Sequence, residues 1–277
     1  YYTLKKLFIE IASRFAPKNK KSINELLDLK FRNMHIEKEY KNLCNKKESL
    51  ENLKKKKISL VLHSIMCVMG GFMGGYAIFC RMSNFGNAQT ANLIEIITGI
   101  VGKDFFDVML RLIGLGIYVF AIVLCVVLRL KTGINLNAYA IMVDGAGLIL
   151  LPLIPTHINP IIGILPIFFM MSTQWSVFHG VGRFNSSTIF STNNIKQCTT
   201  SFAEYLITKD KHMLRKGKFY GNTLFWFHIG VAIGAVLSSI FGTYASWFGF
   251  PIPLVAFFVN VYADKIDHVT HLEQHTF

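Results

Sequence analysis

The stretch ISLVLHSIMCVMGGFMGGYAIFC, residues 58–80, contains no Asp, Glu, Lys or Arg. A helix that crosses the hydrocarbon core of a bilayer needs about 20 mostly apolar residues, so this stretch is long enough to form one. It directly follows four consecutive lysines, at residues 54–57. A basic run beside an apolar span is typical of the cytoplasmic end of a transmembrane helix. The stretch therefore predicts an integral membrane protein.

Five further stretches are similar to the first in length and apolar character. They lie at residues 108–128, 136–154, 159–178, 220–241 and 247–262. The last of them is short and is entered through Pro251 and Pro253. The sequence thus predicts an all-α, polytopic protein with six transmembrane helices in a lipid bilayer.

Charge is concentrated at the start of the chain. Residues 1–57 hold 16 Lys or Arg against 7 Asp or Glu, whereas residues 58–262 hold only 12 and 6. So few charges cannot cover a soluble surface, which argues against a disordered chain, a disulfide-stapled secreted domain and a nucleic-acid-binding protein. Because Lys and Arg are enriched in cytoplasmic segments, the distribution predicts six crossings with both termini cytoplasmic. The membrane is either the cell membrane or an organelle membrane.

Spans and charge together predict four regions. Residues 1–57 form a short, basic, helical cytosolic head, and residues 265–277 form a cytosolic tail. Residues 58–154 and 155–264 hold three spans each. The head has two interpretations: a pair of cytosolic helices with a basic end beside the membrane, or a module that binds anionic lipid or a protein partner.

Two polar segments repeat along the chain at an offset of 102 residues. Residues 81–96 read RMSNFGNAQTANLIEI, and residues 183–198 read RFNSSTIFSTNNIKQC. Each segment follows the first span of a group of three and precedes the second. The matched positions are Met69 with Met171, Arg81 with Arg183, Thr90 with Thr192, Asn92 with Asn194, and Leu93 with Ile195.

This repeat predicts a particular architecture, because three is an odd number of crossings. Two consecutive three-span units must have opposite orientations in the membrane, which makes them inverted repeats. Many secondary transporters are built in this way, with a polar site near the bilayer midplane at interrupted helices. The predicted fold is therefore two inverted three-helix repeats.

The two polar segments are candidates for such helix interruptions. Amides and hydroxyls can satisfy freed backbone groups, or each other, where water is absent. The alternative is that both segments are ordinary connecting loops, although residues 91–101 are apolar enough to dip back into the membrane. The candidate substrate-binding residues here are Gln89, Thr90, Asn92, Thr192 and Asn194, with Asn87 and Ser191 beside them.

Two further candidates for substrate binding lie inside predicted spans. Asp144 is the only acidic residue in any of the six. An ionised carboxylate at this depth costs at least about 2.5–3.5 kcal/mol, so Asp144 must find a partner, face water or be protonated. It is interpreted either as a coupling or substrate group, or as a structural partner of Arg81, Arg111 or a neighbouring amide. Gln174 either joins helices or contacts a ligand.

Arg81 and Arg183 occupy matched positions at the ends of spans, where they are either interface anchors or anion contacts. His63, His179 and His228 lie in or beside spans, with no spacing that joins them as metal ligands. The five cysteines show no metal spacing either. The sequence therefore predicts no metal site and no cofactor.

The membrane part resembles the YoaK-type six-span membrane proteins, a widespread family of unknown function. Its members carry a Gly-rich first span, a Thr-Gly-Asn-type motif, a Gln-containing motif late in the fourth span and a second Thr-Gly-type motif. The corresponding stretches here are GGFMGG at 70–75, TAN at 90–92, MSTQW at 171–175 and TNN at 192–194. The family often has Asp, Gly and Asn where this chain has Gly74, Ala91 and Trp175. The resemblance covers residues 65–265 and implies a topology more than a reaction.

Three functions follow from these observations. The leading hypothesis is a carrier for a small polar or anionic solute, driven by an ion gradient or by exchange. The second is a membrane scaffold or sensor whose basic head recruits a partner or anionic lipid. The third is a membrane-embedded enzyme acting on a lipid, although the familiar catalytic motifs are absent. Self-association into a homo-oligomer is compatible with each of the three.

Overall fold

The computed structural model describes the backbone of residues 20–82 and 84–275, and the side chains of residues 49–82 and 84–266. The chain divides into two compact units, Tyr1–Lys54 and Lys55–Phe277. The described part of the first unit is helical. The side chains at residues 1–48, which include most of the predicted basic head, lie outside the described residues, as do those of the predicted tail beyond residue 266.

The described chain is almost entirely helical. Two short strands, β1 (Gly180–Val181) and β2 (Phe184–Asn185), pair antiparallel in a hairpin between the helix that ends at Val177 and the helix that begins at Thr192. Short 3-10 turns occupy Leu151–Leu153 and Gly242–Tyr244. The helices are α1 (Lys20–Cys80), α2 (Gln89–Gly102), α3 (Phe105–Lys131), α4 (Leu136–Leu150), α5 (Pro160–Val177), α6 (Thr192–Thr208), α7 (Lys211–Phe241), α8 (Ala245–Phe248) and α9 (Pro251–His275).

Polar caps and prolines set several of these boundaries. Asn135 begins α4, because its side-chain oxygen accepts the backbone N–H of Ala138 at 3.0 Å. Asn159 caps α5 in the same way through Ile161, at 2.9 Å, and Pro160 follows it at the first helical position. A side-chain acceptor at the N-cap, followed by proline, is a strong helix start.

Five segments of the described chain are long and apolar enough to cross a membrane. They are Ser49–Cys80, Phe105–Lys131, Leu136–Leu153, Pro160–Val177 and Lys211–Ile266. The first four correspond to the first four predicted spans. The fifth contains α7, the break at residues 242–250 and most of α9, and so includes both stretches that the sequence predicts as the fifth and sixth spans. The protein is an all-helical membrane protein.

Glycines bring α1 and α7 into close contact. A Cβ atom at Gly75 would lie 2.6 Å from the carbonyl oxygen of Val231, and one at Gly71 would meet the carbonyl of Phe227. Only glycine allows backbones to approach this closely. The residue numbers of the contacting pairs rise together along the two helices, so α1 and α7 run parallel.

The long helices α3 and α5 also run parallel. Near their beginnings, Asn159 Nδ2 donates to Asp107 Oδ1 at 2.8 Å, and near their ends Arg129 donates to the carbonyl oxygen of Ser176 at 3.1 Å. By contrast, α5 runs antiparallel to α1. Arg81, at the end of α1, lies against Gly163 near the beginning of α5.

The pair α4 and α9 is antiparallel as well. Asn135 Nδ2, at the start of α4, donates to Asp264 Oδ2 at 2.6 Å, far along α9. Gly145, further along α4, faces Phe250 and Pro253 at the start of α9. Each long helix of residues 58–154 therefore packs against at least one long helix of residues 155–264.

The buried core lies between α1, α4 and α5. Phe72, Tyr76, Leu148 and Phe168 are fully buried there. Many apolar side chains on the outer faces of the long helices are exposed, as lipid contact requires.

Candidate functional site

Each of the two polar segments leads into a short helix that packs back on the next long helix: α2 on α3, and α6 on α7. Both short helices end at a lysine in the left-handed conformation, Lys103 with φ 62° and Lys209 with φ 57°. An aspartate then caps the next helix. Asp104 accepts a backbone N–H at 3.3 Å, and Asp210 accepts one at 2.7 Å. The two segments therefore share the same local structure.

Asn92 and Asn194 make matching hydrogen bonds in the two segments. Asn92 Nδ2 donates to the carbonyl oxygens four and seven residues earlier, at 3.2 and 3.4 Å. Asn194 Nδ2 donates to the carbonyl oxygens at the same two spacings, at 3.2 and 2.7 Å. Both residues are buried. Each asparagine thus ties the preceding connection to the first turn of its short helix.

The two polar segments meet at Asn87, which is fully buried. Its Nδ2 donates to the carbonyl oxygen of Ile189 in the second segment at 2.9 Å, and to that of Gly70 in α1 at 2.7 Å. Residues 87 and 189 are themselves 102 positions apart. The segments therefore touch at positions that the sequence repeat matches to each other.

A second buried amide lies beside this contact. Gln174 Nε2, on α5, donates to the carbonyl oxygen of Met66 in α1 at 2.8 Å and to Thr188 Oγ1 at 2.8 Å. Met66 lies one helical turn from the residue that Asn87 contacts, and Thr188 directly precedes Ile189. Asn87, Gln174 and Thr188 thus form one group of polar side chains, which we name the central polar cluster.

The central polar cluster contains acceptors that no described residue satisfies. Asn87 Oδ1 and Gln174 Oε1 are both buried and have no hydrogen-bond partner in the described part of the chain. Most buried polar atoms in proteins are paired, so unpaired ones indicate a water, an ion or a ligand group. The cluster therefore holds two buried acceptors that the described chain leaves unpaired.

The structure separates the remaining predicted residues of the two segments. Both amide atoms of Gln89 are buried and lack a partner among the described residues. Thr90 and Thr192 are exposed in the first turns of α2 and α6. Gln89 therefore resembles the central polar cluster in having unpaired atoms, whereas the two threonines do not join it.

Asp144 is fully buried in α4. Neither carboxylate oxygen has a hydrogen-bond partner among the described residues. The two arginines that the sequence suggested as structural partners are engaged elsewhere. Arg81 donates to backbone carbonyls, and Arg111 forms an ion pair with Glu95. Asp144 therefore does not belong to an ion pair with either.

Arg111 fastens α2 to α3. Besides its ion pair with Glu95, it donates from Nη1 to Asn92 Oδ1 at 2.9 Å and from Nη2 to Asn84 Oδ1 at 3.2 Å. These contacts give Arg111 and Asn92 a clear positioning role, which their spacing of 19 residues does not reveal in the sequence.

The sequence points to His63 as a buried, hydrogen-bonded histidine but does not indicate its partners. His63 is buried in α1, with its Nε2 2.8 Å from Ser186 Oγ and 3.4 Å from Thr223 Oγ1. Its Nδ1 is buried and has no partner in the described residues. The partners are 123 and 160 residues away along the chain, so no local pattern could have indicated them. No group of three or more possible metal ligands occurs in the same described residues.

Comparison with known proteins gives one match. The model of a family described as "Protein of unknown function (DUF1275)" matches residues 62–259, well over half of the chain. No curated protein matches, and no solved structure matches. The matched region begins within α1 and ends within α9, and it includes the central polar cluster and Asp144.

Proposed function

The chain belongs to the DUF1275 family of proteins of unknown function, and from that premise we propose that it is a secondary transporter of a small polar or anionic solute. We further propose that the chain crosses the membrane six times, that its spans form two inverted repeats, and that it is related to the YoaK-like members of the family. Its substrate site is the central polar cluster together with Gln89, and Asp144 is its coupling group.

The directions of the long helices support the inverted repeat. In such an architecture, α1, α3 and α4 correspond to α5, α7 and α9, and each helix runs opposite to its counterpart. The contacts give α1 antiparallel to α5, and α4 antiparallel to α9. Since α1 is parallel to α7 and α3 is parallel to α5, α3 and α7 are antiparallel too.

The observation that carries the transport proposal is the unpaired acceptors of the central polar cluster. They lie where the two polar segments meet, which is where inverted-repeat transporters place their substrate. Asn87 Oδ1 and Gln174 Oε1 face no donor in the described chain. A solute with N–H or O–H groups, such as an amide, an ammonium compound or a sugar, can supply those donors.

Asp144 supports coupling to protons or cations. A buried carboxyl with no described partner is expensive to keep charged, so its charge state depends strongly on what reaches it. Intramembrane carboxyls of this kind are typical of proton and cation pathways.

Thermal-shift screening of the purified protein tests the proposal, because a ligand that binds only the folded state raises its melting temperature. The panel should contain small amides, ammonium compounds, sugars and carboxylates, and every hit should be tested for flux in liposomes. We expect Gln174→Met to abolish both the shift and the flux, since methionine keeps the volume but removes the amide.

The matched control is Ser238→Ala, which removes another buried, unpaired polar group from a long helix outside the cluster. It should retain both binding and flux. If no solute stabilises the wild-type protein or crosses the bilayer, the carrier proposal is wrong.

Close packing favours a second candidate, a membrane scaffold or sensor. A side chain at Gly70 would collide with the backbone of Thr188, so α1 and the second polar segment are in tight contact at the cluster. A scaffold needs such a rigid centre and no solute path. Specific capture of a partner by residues 1–57, without any ligand or flux, would identify this function.

A further inference from the structure

A basic cavity of about 540 Å³ lies apart from the central polar cluster. It is bounded by residues 55–59 of α1, by the β1–β2 hairpin and by the first turns of α7. Its charged lining comprises Lys55, Lys56, Arg183 and Arg215, with His212 beside them. Three separate elements thus bring four cationic side chains to one concave surface.

Three of these four cations have no acidic partner among the residues whose side chains are described. Within the part of the chain whose side chains are described, Lys56, Arg183 and Arg215 form no ion pair. The acidic residue closest in sequence to the α7 lining is Asp210, and its carboxylate accepts the backbone N–H of His212 at 2.7 Å. Cations that repel one another in a cavity attract a multiply charged anion.

Part of the cavity lining is apolar, because Val181 and Phe184 face it beside the cations. Val181, Phe219 and Tyr220 are buried together, and Phe184 packs against them. The Phe184 ring also contacts the His212 ring in a tilted arrangement, with the ring centroids 5.7 Å apart. Cationic side chains beside an apolar lining suit a ligand that carries both a phosphate and an apolar part.

The cavity lies at the edge of a membrane span. Residues 55–59 are in the first turns of the segment Ser49–Cys80, and the next two side chains, Leu60 and Val61, are 37% and 50% exposed. Four consecutive lysines, at residues 54–57, directly precede the uncharged stretch at residues 58–80, so the adjoining cavity is at the depth of lipid headgroups. Basic pockets at this depth are suited to anionic headgroups.

Arg81 and Arg183, which the sequence repeat matches to each other, differ in their hydrogen-bond partners. Arg81 is only 2% exposed, and its guanidinium donates to the carbonyl oxygens of Leu151 and Ile154, both at 3.3 Å. Arg183 is exposed and has no hydrogen-bond acceptor among the described residues. The Nη2 group of Arg81 is thus held by acceptors within the protein, whereas the guanidinium of Arg183 is open to an acceptor from outside.

We propose that this basic cavity binds the phosphate of an anionic membrane lipid. Arg183 and Arg215 contact the phosphate oxygens, Lys55 and Lys56 add charge, and Ser59 is placed to donate a hydrogen bond. The acyl chains leave past Leu60 and Val61. The proposal is independent of transport, because none of these residues belongs to the central polar cluster.

Titration of the purified full-length protein with a short-chain phosphatidylglycerol, in a neutral detergent, tests the site through the rise in melting temperature. Phosphatidylcholine of the same chain length, which is zwitterionic and has no net charge, is the reference. We expect Arg183→Gln and Arg215→Gln each to weaken apparent phosphatidylglycerol affinity by about fivefold, the factor that one cation near a membrane surface contributes. The control is Lys218→Gln, which removes an exposed charge outside the cavity from α7, the helix that holds Arg215. This variant should change the apparent phosphatidylglycerol affinity by less than about twofold.

Two results would overturn the proposal. The first is an equal effect of Lys218→Gln, which would mean general surface attraction. The second is equal stabilisation by free inorganic phosphate, which would mean a solute site. Arg183→Lys guards against misfolding, because it keeps the charge but not the forked geometry: it should melt as the wild type does without lipid and should bind with intermediate affinity.

Discussion

At the scale of single residues, the polar groups of the membrane region fall into two classes. The first class donates side-chain N–H groups to backbone carbonyls and comprises Asn92, Asn194 and Arg81. Asn92 Oδ1 also accepts a hydrogen bond from Arg111 on the neighbouring helix. Asn87, Gln174 and Asp144 retain buried acceptors without a described partner. The first class stabilises the fold, and the second class costs stability that a function would explain.

Asp144→Leu separates these two roles at one position. Replacing an unpaired buried carboxyl by an apolar side chain of similar volume removes a desolvation penalty, so we expect the unfolding free energy to rise by about 1–3 kcal/mol. Flux coupled to protons or cations should be lost in the same variant. A melting temperature below that of the wild type would instead show that Asp144 has a structural partner.

At the scale of elements, the short helices depend on a few polar contacts with the long ones. The helix α2 has 14 residues, and many of its apolar side chains, such as Ile97 and Val101, are exposed. Its length is too short to cross a bilayer, so its backbone position depends on packing against α3. Arg111 supplies the polar part of that packing.

Arg111→Gln should loosen α2 without unfolding the rest of the protein. The Glu95 side chain is 48% exposed, so solvent screens the ion pair, and we expect a loss of only about 1 kcal/mol. Hydrogen exchange should accelerate across residues 89–102, with no change across residues 192–208 of α6 as the internal control. Equal acceleration of both helices would mean that the substitution acts globally.

The packing of α1 against α7 depends on glycine. A Cβ atom at Gly75 meets the Val231 carbonyl oxygen, which is backbone and cannot rotate away. We therefore expect Gly75→Val to reduce the unfolding free energy by at least about 1–3 kcal/mol. The measurement is the melting temperature, together with size-exclusion homogeneity.

Gly116→Ala is the matched control for that substitution. Apart from the local helix backbone, no heavy atom of a described residue lies within 4 Å of a Cβ at this position of α3. Alanine also favours helix over glycine by about 1 kcal/mol. The control should therefore melt at or above the temperature of the wild type, and a decrease would show that glycine is required for reasons other than space.

The apolar elements were the most predictable from the sequence, because each long helix carries a long, mostly apolar run. The predicted third span ends at residue 154 and the observed segment at Leu153. The hairpin at residues 180–185 was not predicted, since two-residue strands carry no alternating pattern. The helix α6 was missed as well, because its sequence TNNIKQCTTSFAEYLIT mixes polar and apolar residues throughout.

The candidate site was predictable by residue type but not by partner. The amide-rich segments did indicate Gln89, Asn92 and Asn194, and the fourth span indicated Gln174. The fold alone shows that Gln174 meets Thr188, because only the hairpin brings residue 188 back to α5. Which atoms stay unpaired, as at Asp144, depends on distances that no spacing encodes.

At the scale of the whole molecule, the two halves are interlocked rather than side by side. In each half, long helices find their closest described contacts in the other half: α1 with α7, α3 with α5, and α4 with α9. Neither half therefore has an independent core. This arrangement is what places the two polar segments against each other.

The proposed six-crossing topology makes a prediction for labelling of single cysteines in a background without the five native ones. Gly133→Cys, between α3 and α4, and His157→Cys, between α4 and α5, should react with an impermeant thiol reagent from opposite sides of the membrane. His271→Cys should behave as Gly133→Cys does. If it behaves as His157→Cys does, α7 and α9 do not form two separate crossings.

The pairing of α1 with α7 has a consequence for biosynthesis. α1 leaves the ribosome long before α7 has been translated. Its glycine face, at Gly71 and Gly75, therefore enters the lipid before the helix that packs against it is present. A nascent chain that stops short of α7 keeps this groove uncovered, and incomplete surfaces of this kind attract chaperones and proteases. Folding of the membrane region therefore cannot be complete before translation reaches α7, even when each earlier helix is already inserted.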